Sequence, residues 1–300
     1  MKILLINIDS KILNLALKKI EKYHLDKGDE VIWNNELFIN SVDKTYVSCI
    51  FTKNKSKCMD FESKAEIGGS GYSLEKTLPP EIEEVKPRIN LGFTTRGCIR
   101  HCSFCIVPEK EGSIRVVGDL MDLWDGKNKD IVILDNNILA LPEHFRLICK
   151  QARENKLRID FNQGLDCRLL TEDIVKELKL LSHREYRFAF DDIRLESIVE
   201  KAIKLLKKYG INRCAWYVLA GYNSTFEEAL YRCNFLREHN QNVYIQRYET
   251  VYSEQKYILL ARWANQHAIF HTHSWNEFLD KDKNYHKNCL KRGYDDYYFS

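Results

Sequence analysis

Six short apolar runs recur between residues 90 and 250, with stretches of helical spacing between them. No other feature constrains the fold as tightly. The runs are NLGFTT, DIVILDNN, RIDFNQG, YRFAFDD, CAWYVLAGY and NVYIQRYET. Helical stretches fall at about 115–125, 140–156, 171–182, 194–209 and 224–239, and a last helix at about 254–270. The stretch LESIVEKAIKLLKK carries an apolar stripe and stops at Gly210. The next helix opens at Ser224 with Glu227 three residues on, a capping-box spacing. Strands separated by helices of roughly 10 to 17 residues predict a parallel sheet with right-handed crossovers, an open or partial α/β barrel.

The first 88 residues repeat the alternation on a smaller scale. MKILLIN reads as a strand, NLALKKIEKYHLDKG as a helix ending at Gly28, and DEVIWNN and KTYVSCIFT as two further strands. Residues 58–87, with IGGSGYSL and TLPPEIEEVKP, read as loop and linker, which puts a domain boundary near residue 88. A chain of 300 residues, 44% hydrophobic and 30% charged, has room for two domains with sizeable cores. With 46 basic against 43 acidic residues, the net charge of +3 neither demands nor excludes a nucleic-acid partner. The start MKILLINIDS lacks the length of a signal peptide, and no later run approaches the roughly 18 apolar residues of a membrane span. These features predict a cytoplasmic protein with no membrane partner. Its ten cysteines then read as free thiols plus a metal site.

Chemistry in parallel α/β folds belongs at the carboxyl ends of strands, and polar residues collect there. They are the cysteine loop, Asp135-Asn136-Asn137, Asn162-Gln163, Asp191-Asp192, Gly221-Tyr222-Asn223 and Gln246-Arg247. The loop TTRGCIRHCSFCIVPEKEG places Cys98, Cys102 and Cys105 within eight positions. Three thiolates from one loop can ligate a compact metal centre. Four-iron clusters normally take four cysteines, so three leave one iron open to a ligand. A structural zinc with His101 or a distant residue as fourth ligand is the competing reading, although no second C-x2-C knuckle is present. The other cysteines (49, 58, 149, 167, 214, 233 and 289) are scattered, mostly in apolar contexts that suit buried thiols.

GCIRHCSFC resembles the C-x3-C-x-Φ-C signature of the radical S-adenosylmethionine superfamily, with Phe104 at the aromatic position. LDNN at 134–137 is similar to the strand-two motif of members with a cobalamin-domain-like amino terminus. YVLAGYNSTFEEA resembles their strand-five pattern, with Asn223-Ser224-Thr225 in place of Pro-Gly-Glu. DCRLLTEDIVKEL is similar to the stretch after strand three, though its acid precedes Arg168. The resemblance covers most of residues 89–250 and implies a partial (βα)6 parallel barrel over 89–252. A small Rossmann-like α/β domain over 1–88 would precede it, and a helical, aromatic-rich extension over 253–300 would follow. It further implies a [4Fe–4S] cluster on Cys98, Cys102 and Cys105, whose open iron S-adenosylmethionine would chelate. One electron would then release a 5′-deoxyadenosyl radical that abstracts hydrogen from a substrate. On the same resemblance Asp135, Asn136 and Asn137 would lie near the methionyl group, and Arg168 would meet its carboxylate. Asp191 or Asp192 would meet the ribose or the amine, and Ala220 and Gly221 would admit the adenine.

The substrate class stays open between nucleic acid (RNA or DNA), peptide and metabolite, with flavodoxin or ferredoxin as the implied reductant. The cysteine loop also resembles that of tRNA and ribosomal-protein methylthiotransferases, which carry three further amino-terminal cysteines. Only Cys49 and Cys58 precede the motif here, which disfavours methylthiolation. Residues 1–88 look like a shortened cobalamin-binding domain without the D-x-H-x-x-G motif, since His24 sits inside the first helix. Cobalamin is therefore the minority reading, and Gly68-Gly69 reads as a plain turn. The tail interleaves cations and aromatics: Tyr244, Arg247, Tyr248, Tyr252, Arg262, Trp263, His267, His271, His273, Trp275, Tyr285 and His286. Such a pattern can stack bases, but helical spacing favours a packed helix with Tyr257, Leu260 and Trp263 as core. The alternative to a radical enzyme is a non-catalytic iron–sulfur or zinc protein with a binding or redox-sensing role.

Overall fold

A computed structural model describes residues 1–281. The chain forms two compact units, Met1–Asn137 with Lys150–Ile159 and Ile138–Cys149 with Asp160 onward. Tyr285, His286 and Cys289 of the expected extension lie outside the described residues.

The first unit opens with β1 (Lys2–Asn7), α1 (Leu15–Asp26), β2 (Glu30–Trp33), β3 (Lys44–Ser48) and β4 (Glu66–Gly68). These strands form a parallel sheet in the order β2-β1-β3-β4. β1 is apolar at almost every position because both its faces are covered. Ile3 and Leu5 pack with Leu17 and Ile20 of α1, while Leu4 and Ile6 pack with Val47, Phe61 and Ile67. Asn14 caps α1 by accepting from the Leu17 amide, and Gly28, at φ +79°, takes the left-handed position that ends it. The segment expected as bare loop is more ordered than its glycines and prolines suggest. It holds a 3-10 stretch over Thr52–Phe61, β4, and α2 (Pro80–Glu83).

The cysteine loop follows β5 (Leu91–Gly92) and β6 (Thr95–Arg96) and contains α3 (Val107–Glu111). β7 (Arg115–Val116) returns antiparallel to β6, so a short ladder closes the loop at its base. The expected helix at 115–125 shrinks to α4 (Leu120–Leu123), because β7 takes its start and Asp119 caps what remains. β8 (Asp130–Ile133) runs parallel to β5, with Leu91 opposite Val132. α5 (Pro142–Glu154) and β9 (Arg158–Phe161) straddle the division between the units.

The second unit continues through α6 (Glu172–Leu180), β10 (Ser182–His183), β11 (Arg187–Ala189), α7 (Glu196–Lys208), β12 (Ala215–Ala220), α8 (Phe226–Glu238) and β13 (Asn242–Arg247). β11, β12 and β13 are parallel, with Phe188 opposite Trp216 and Tyr217 opposite Tyr244. The capping box of α8 sits one residue later than its sequence signal. Thr225 accepts from the Glu228 amide, and the Glu228 carboxylate accepts from the Thr225 amide. The expected last helix divides into α9 (Gln255–Ala264) and α10 (His267–Thr272). The edge of β13 is closed by Asn265, whose side chain bonds both backbone groups of Ile245. Strands form within all six expected runs, with β5–β8 and β11–β12–β13 paired in parallel, but they are distributed over more than one sheet and no closed barrel is present among the described residues. No helix among them is long and apolar enough to cross a membrane.

Candidate iron–sulfur site and strand-end residues

The cysteine loop is pinned at both ends. Gly97 stands at φ +81°, where a Cβ would lie 2.3 Å from the Ser113 carbonyl oxygen, so glycine alone fits before Cys98. The Cys98 amide donates to the Gly112 carbonyl at 3.2 Å, and the Cys105 amide to the Cys102 carbonyl at 2.9 Å. All three thiols are half-buried. Two N–H groups point at the Cys98 sulfur, the Arg100 amide at 3.3 Å and Asn137 Nδ2 at 3.5 Å. Such donors favour a thiolate and tune the potential of an iron–sulfur centre. Burial pushes the Cys105 thiol pKa up, and the charges of Cys102, Cys98 and Glu111 add to it. A cation between the sulfurs would relieve that penalty.

Glu111, which the sequence did not single out, organises this end of the unit. Its Oε2 accepts from the Gly97 amide at 2.9 Å and from Asn136 Nδ2 at 2.8 Å, and Arg96 Nε lies 3.5 Å away. Asp135, 3% exposed, accepts from the Thr94 amide at 2.6 Å, the Thr95 amide at 3.0 Å and the Thr94 hydroxyl. Burial nevertheless raises its pKa, with these hydrogen bonds opposing the shift. Thus Asn136 and Asn137 turn toward the cysteine loop, whereas Asp135 holds the end of β5. Phe104 is 37% exposed on the same loop.

In the second unit each expected side chain has a local partner. Arg168 engages Asp166 in a two-pronged pair, Nε to Oδ1 at 2.6 Å and Nη2 to Oδ2 at 3.0 Å. Asp192 pairs likewise with Arg194, which lowers its pKa. Asp191 Oδ1 accepts from the Leu219 amide at 2.9 Å, and burial raises its pKa. Ala220 is fully buried, and its carbonyl accepts from the Tyr248 amide. Gly221, at φ +86°, is required by Val251, whose Cγ2 would lie 2.2 Å from a Cβ. Arg232 of α8, which none of the sequence motifs includes, is fully buried. Its guanidinium donates to the carbonyls of Phe190, Leu219 and Glu228 and to the Ser224 hydroxyl. Burial lowers its pKa, with Cys233 and Asp191 opposing.

The aromatic tail divides. Tyr257, Leu260 and Trp263 are core, and Trp263 packs on Phe270 and Trp275 at 4.8 and 5.6 Å. Tyr244 and Tyr252 are about half exposed, and Arg247 stacks over the Tyr252 ring at 4.4 Å. His271 bonds Asn242, and His273 bonds Thr272 and Lys281, so the pair is engaged in ordinary hydrogen bonds. Among the described residues no three His, Cys, Asp or Glu side chains converge tightly enough to share one metal ion. A single zinc needs its thiolates within about 2.3 Å of one point, whereas a four-iron cluster gives each thiolate its own iron. The loop offers three thiols, the donor type that holds iron–sulfur clusters.

No protein-family profile matches the chain. A tRNA-2-methylthio-N(6)-dimethylallyladenosine synthase of Flavobacterium johnsoniae is 25% identical over 38% of this chain and 32% of its own length. The synthase of the same name from Flavobacterium psychrophilum is 27% identical over 40% of this chain and 30% of its own. The matches thus span about a third of these curated relatives. Both belong by name to the methylthio-modifying enzymes whose cysteine loop GCIRHCSFCIVP resembles. This distant similarity supports a relation to the radical S-adenosylmethionine superfamily and goes no finer.

Proposed function

We propose that the chain is a radical S-adenosylmethionine enzyme with Cys98, Cys102 and Cys105 as ligands of a [4Fe–4S] cluster. The observation that carries the reading is the cysteine loop itself: three half-buried thiols on one pinned turn, with two N–H donors aimed at Cys98. Bound there, the cluster would supply the electron that cleaves S-adenosylmethionine to methionine and a hydrogen-abstracting 5′-deoxyadenosyl radical. The chain's own part is placement. Asn137 orients the Cys98 sulfur, and Glu111 fixes Gly97 and Asn136 around it. Asp135 keeps the end of β5 in register through the Thr94 and Thr95 amides. In this reading residues 1–88, 89–252 and 253–300 are the amino-terminal domain, the core and the extension. Arg168, Asp191, Asp192, Ala220 and Gly221 contact S-adenosylmethionine, Arg168 by exchanging Asp166 for the methionyl carboxylate.

The names of the relatives favour RNA as the substrate class, and the exposed Tyr244 and Tyr252 offer rings on which bases can stack. The reading does not extend to methylthio transfer. Cys49 and Cys58 are fully buried in the apolar cluster of Leu4, Ile6, Val47, Phe61 and Ile67, where they serve as packing residues. The test is spectroscopic. The reconstituted, reduced protein should give an electron paramagnetic resonance signal that changes when S-adenosylmethionine is added. A reduced cluster whose signal ignores S-adenosylmethionine would leave an electron-transfer or sensing protein.

A further inference from the structure

The first unit carries a concave site that the cysteine loop does not explain. A cavity of about 360 Å³ lies by the carboxyl ends of β1 and β2. Here the chain crosses from β1 to β2 on one side and then returns to β3 on the other, giving the order β2-β1-β3-β4. Diverging crossovers leave a crevice at such a switch, and ligands of parallel sheets bind there. Its apolar part is Ile8 with the edges of Ile6 and Phe61, both nearly fully buried. One wall is a fixed polar frame. Asn34, in the left-handed region at φ +48°, accepts from the Asn7 amide at 2.8 Å and donates its own amide to the Leu5 carbonyl at 2.8 Å. The Asn7 side chain is in turn locked to Ser10 by two hydrogen bonds. The rim holds charges of both signs, Lys57 against Glu36 and Asp60. No hydrogen bond or ion pair engages these three side chains among the described residues.

We propose that this cavity binds a free α-amino acid with an apolar side chain. The Lys57 ammonium would pair with the ligand carboxylate and Glu36 or Asp60 with its ammonium group, while Ile6, Ile8 and Phe61 receive the side chain. A rim of both signs disfavours a simple anion such as phosphate. At about 360 Å³ the cavity lies at the low end of the roughly 300–1,000 Å³ range of ligand sites, a size that suits an amino acid. The proposal is independent of the radical reading.

The test is titration calorimetry on the full chain with L-leucine, L-methionine and L-phenylalanine, against isovalerate, isoamylamine and inorganic phosphate. At least one amino acid binds, and the acid lacking the amine and the amine lacking the acid each bind at least about tenfold more weakly. Lys57→Met, and separately the double variant Glu36→Gln with Asp60→Asn, each weaken binding by about tenfold or more, whereas Cys98→Ala leaves it unchanged. Circular dichroism verifies that these surface variants fold. No binding of any amino acid at about 10 mM, equal binding of isovalerate or phosphate, or an affinity indifferent to Lys57→Met would each overturn the proposal.

Discussion

Two charged side chains of opposite sign brace the two candidate regions, and they do it in opposite ways. Beside the cysteine loop the Glu111 carboxylate gathers donors, namely the Gly97 amide, the Asn136 amide and Arg96. In the second unit the Arg232 guanidinium gathers acceptors, the strand-end carbonyls of Phe190 and Leu219 among them. The carboxylate leaves a negative charge near sulfurs that would take up iron, and it is one of the charges raising Cys105. The guanidinium places a positive charge behind Asp191 and Asp192 and favours their ionised forms. Each of these charges is already partnered within its own region, Glu111 by Arg96 and Arg232 by Asp191 and Asp192. They differ again in how their polar residues are used: Asn136 and Asn137 turn toward the cysteine loop, whereas Arg168 and Asp192 pair with residues two positions away.

The sharpest way to break this contrast is Arg232→Met. It leaves the Phe190 and Leu219 carbonyls buried without their donor and should cost about 3–5 kcal/mol in urea unfolding. A loss under about 1 kcal/mol would mean that the guanidinium braces nothing. Glu111→Ala should cost about 1–3 kcal/mol and lower the iron retained after reconstitution, with Glu111→Gln recovering part of both through its remaining acceptor oxygen. Equal iron retention in wild type and Glu111→Ala would remove Glu111 from the site.

A pH series sharpens the role of Asp135. Its folded pKa is raised by burial, so the folded state holds its proton longer than the unfolded chain. Wild-type stability relative to Asp135→Asn should therefore be greatest below about pH 4 and fall as pH rises through the raised value. The fall should be on the order of 1 kcal/mol for each tenfold difference in proton affinity between the folded and unfolded states. A flat difference from about pH 3.5 to 7 would show that the hydrogen bonds cancel burial. The smallest expected effect is Arg168→Ala, about 1 kcal/mol, since the guanidinium is partly exposed and the nearly buried Asp166 keeps the residue-168 amide as a donor. Because the structural cost is small, weakened S-adenosylmethionine binding in that variant would report ligand contact directly.

The strands were legible because buried parallel strands are short apolar runs between helical stretches, and KILLIN or AWYVLA admits little else. The cysteine loop was legible from spacing alone. Other features were hidden by competing signals. The prolines and glycines of 58–87 masked β4 and α2, each too short to show a period. Ser224 and Thr225 both suit a helix cap, and the structure chose Thr225. Glu111 carries no sequence signal, since a glutamate before a glycine in a charged loop reads as solvated. Arg232 did leave a trace. It shares the buried face Ala229, Arg232, Cys233, Leu236, where a charge at helical spacing among small and apolar residues marks a buried cation. The charged partners of Arg168 and Asp192 lie two residues away, at Asp166 and Arg194, a spacing visible in the sequence but silent about which pairs form.

The most direct measurement is anaerobic turnover: iron and sulfide reconstitution, dithionite, S-adenosylmethionine, and chromatographic detection of 5′-deoxyadenosine. A radical enzyme built on this loop forms the nucleoside in wild type and none in the Cys98→Ala, Cys102→Ala, Cys105→Ala triple variant. A colourless wild-type protein that holds zinc and leaves S-adenosylmethionine intact would contradict it, and would make the loop a structural metal site on an α/β scaffold.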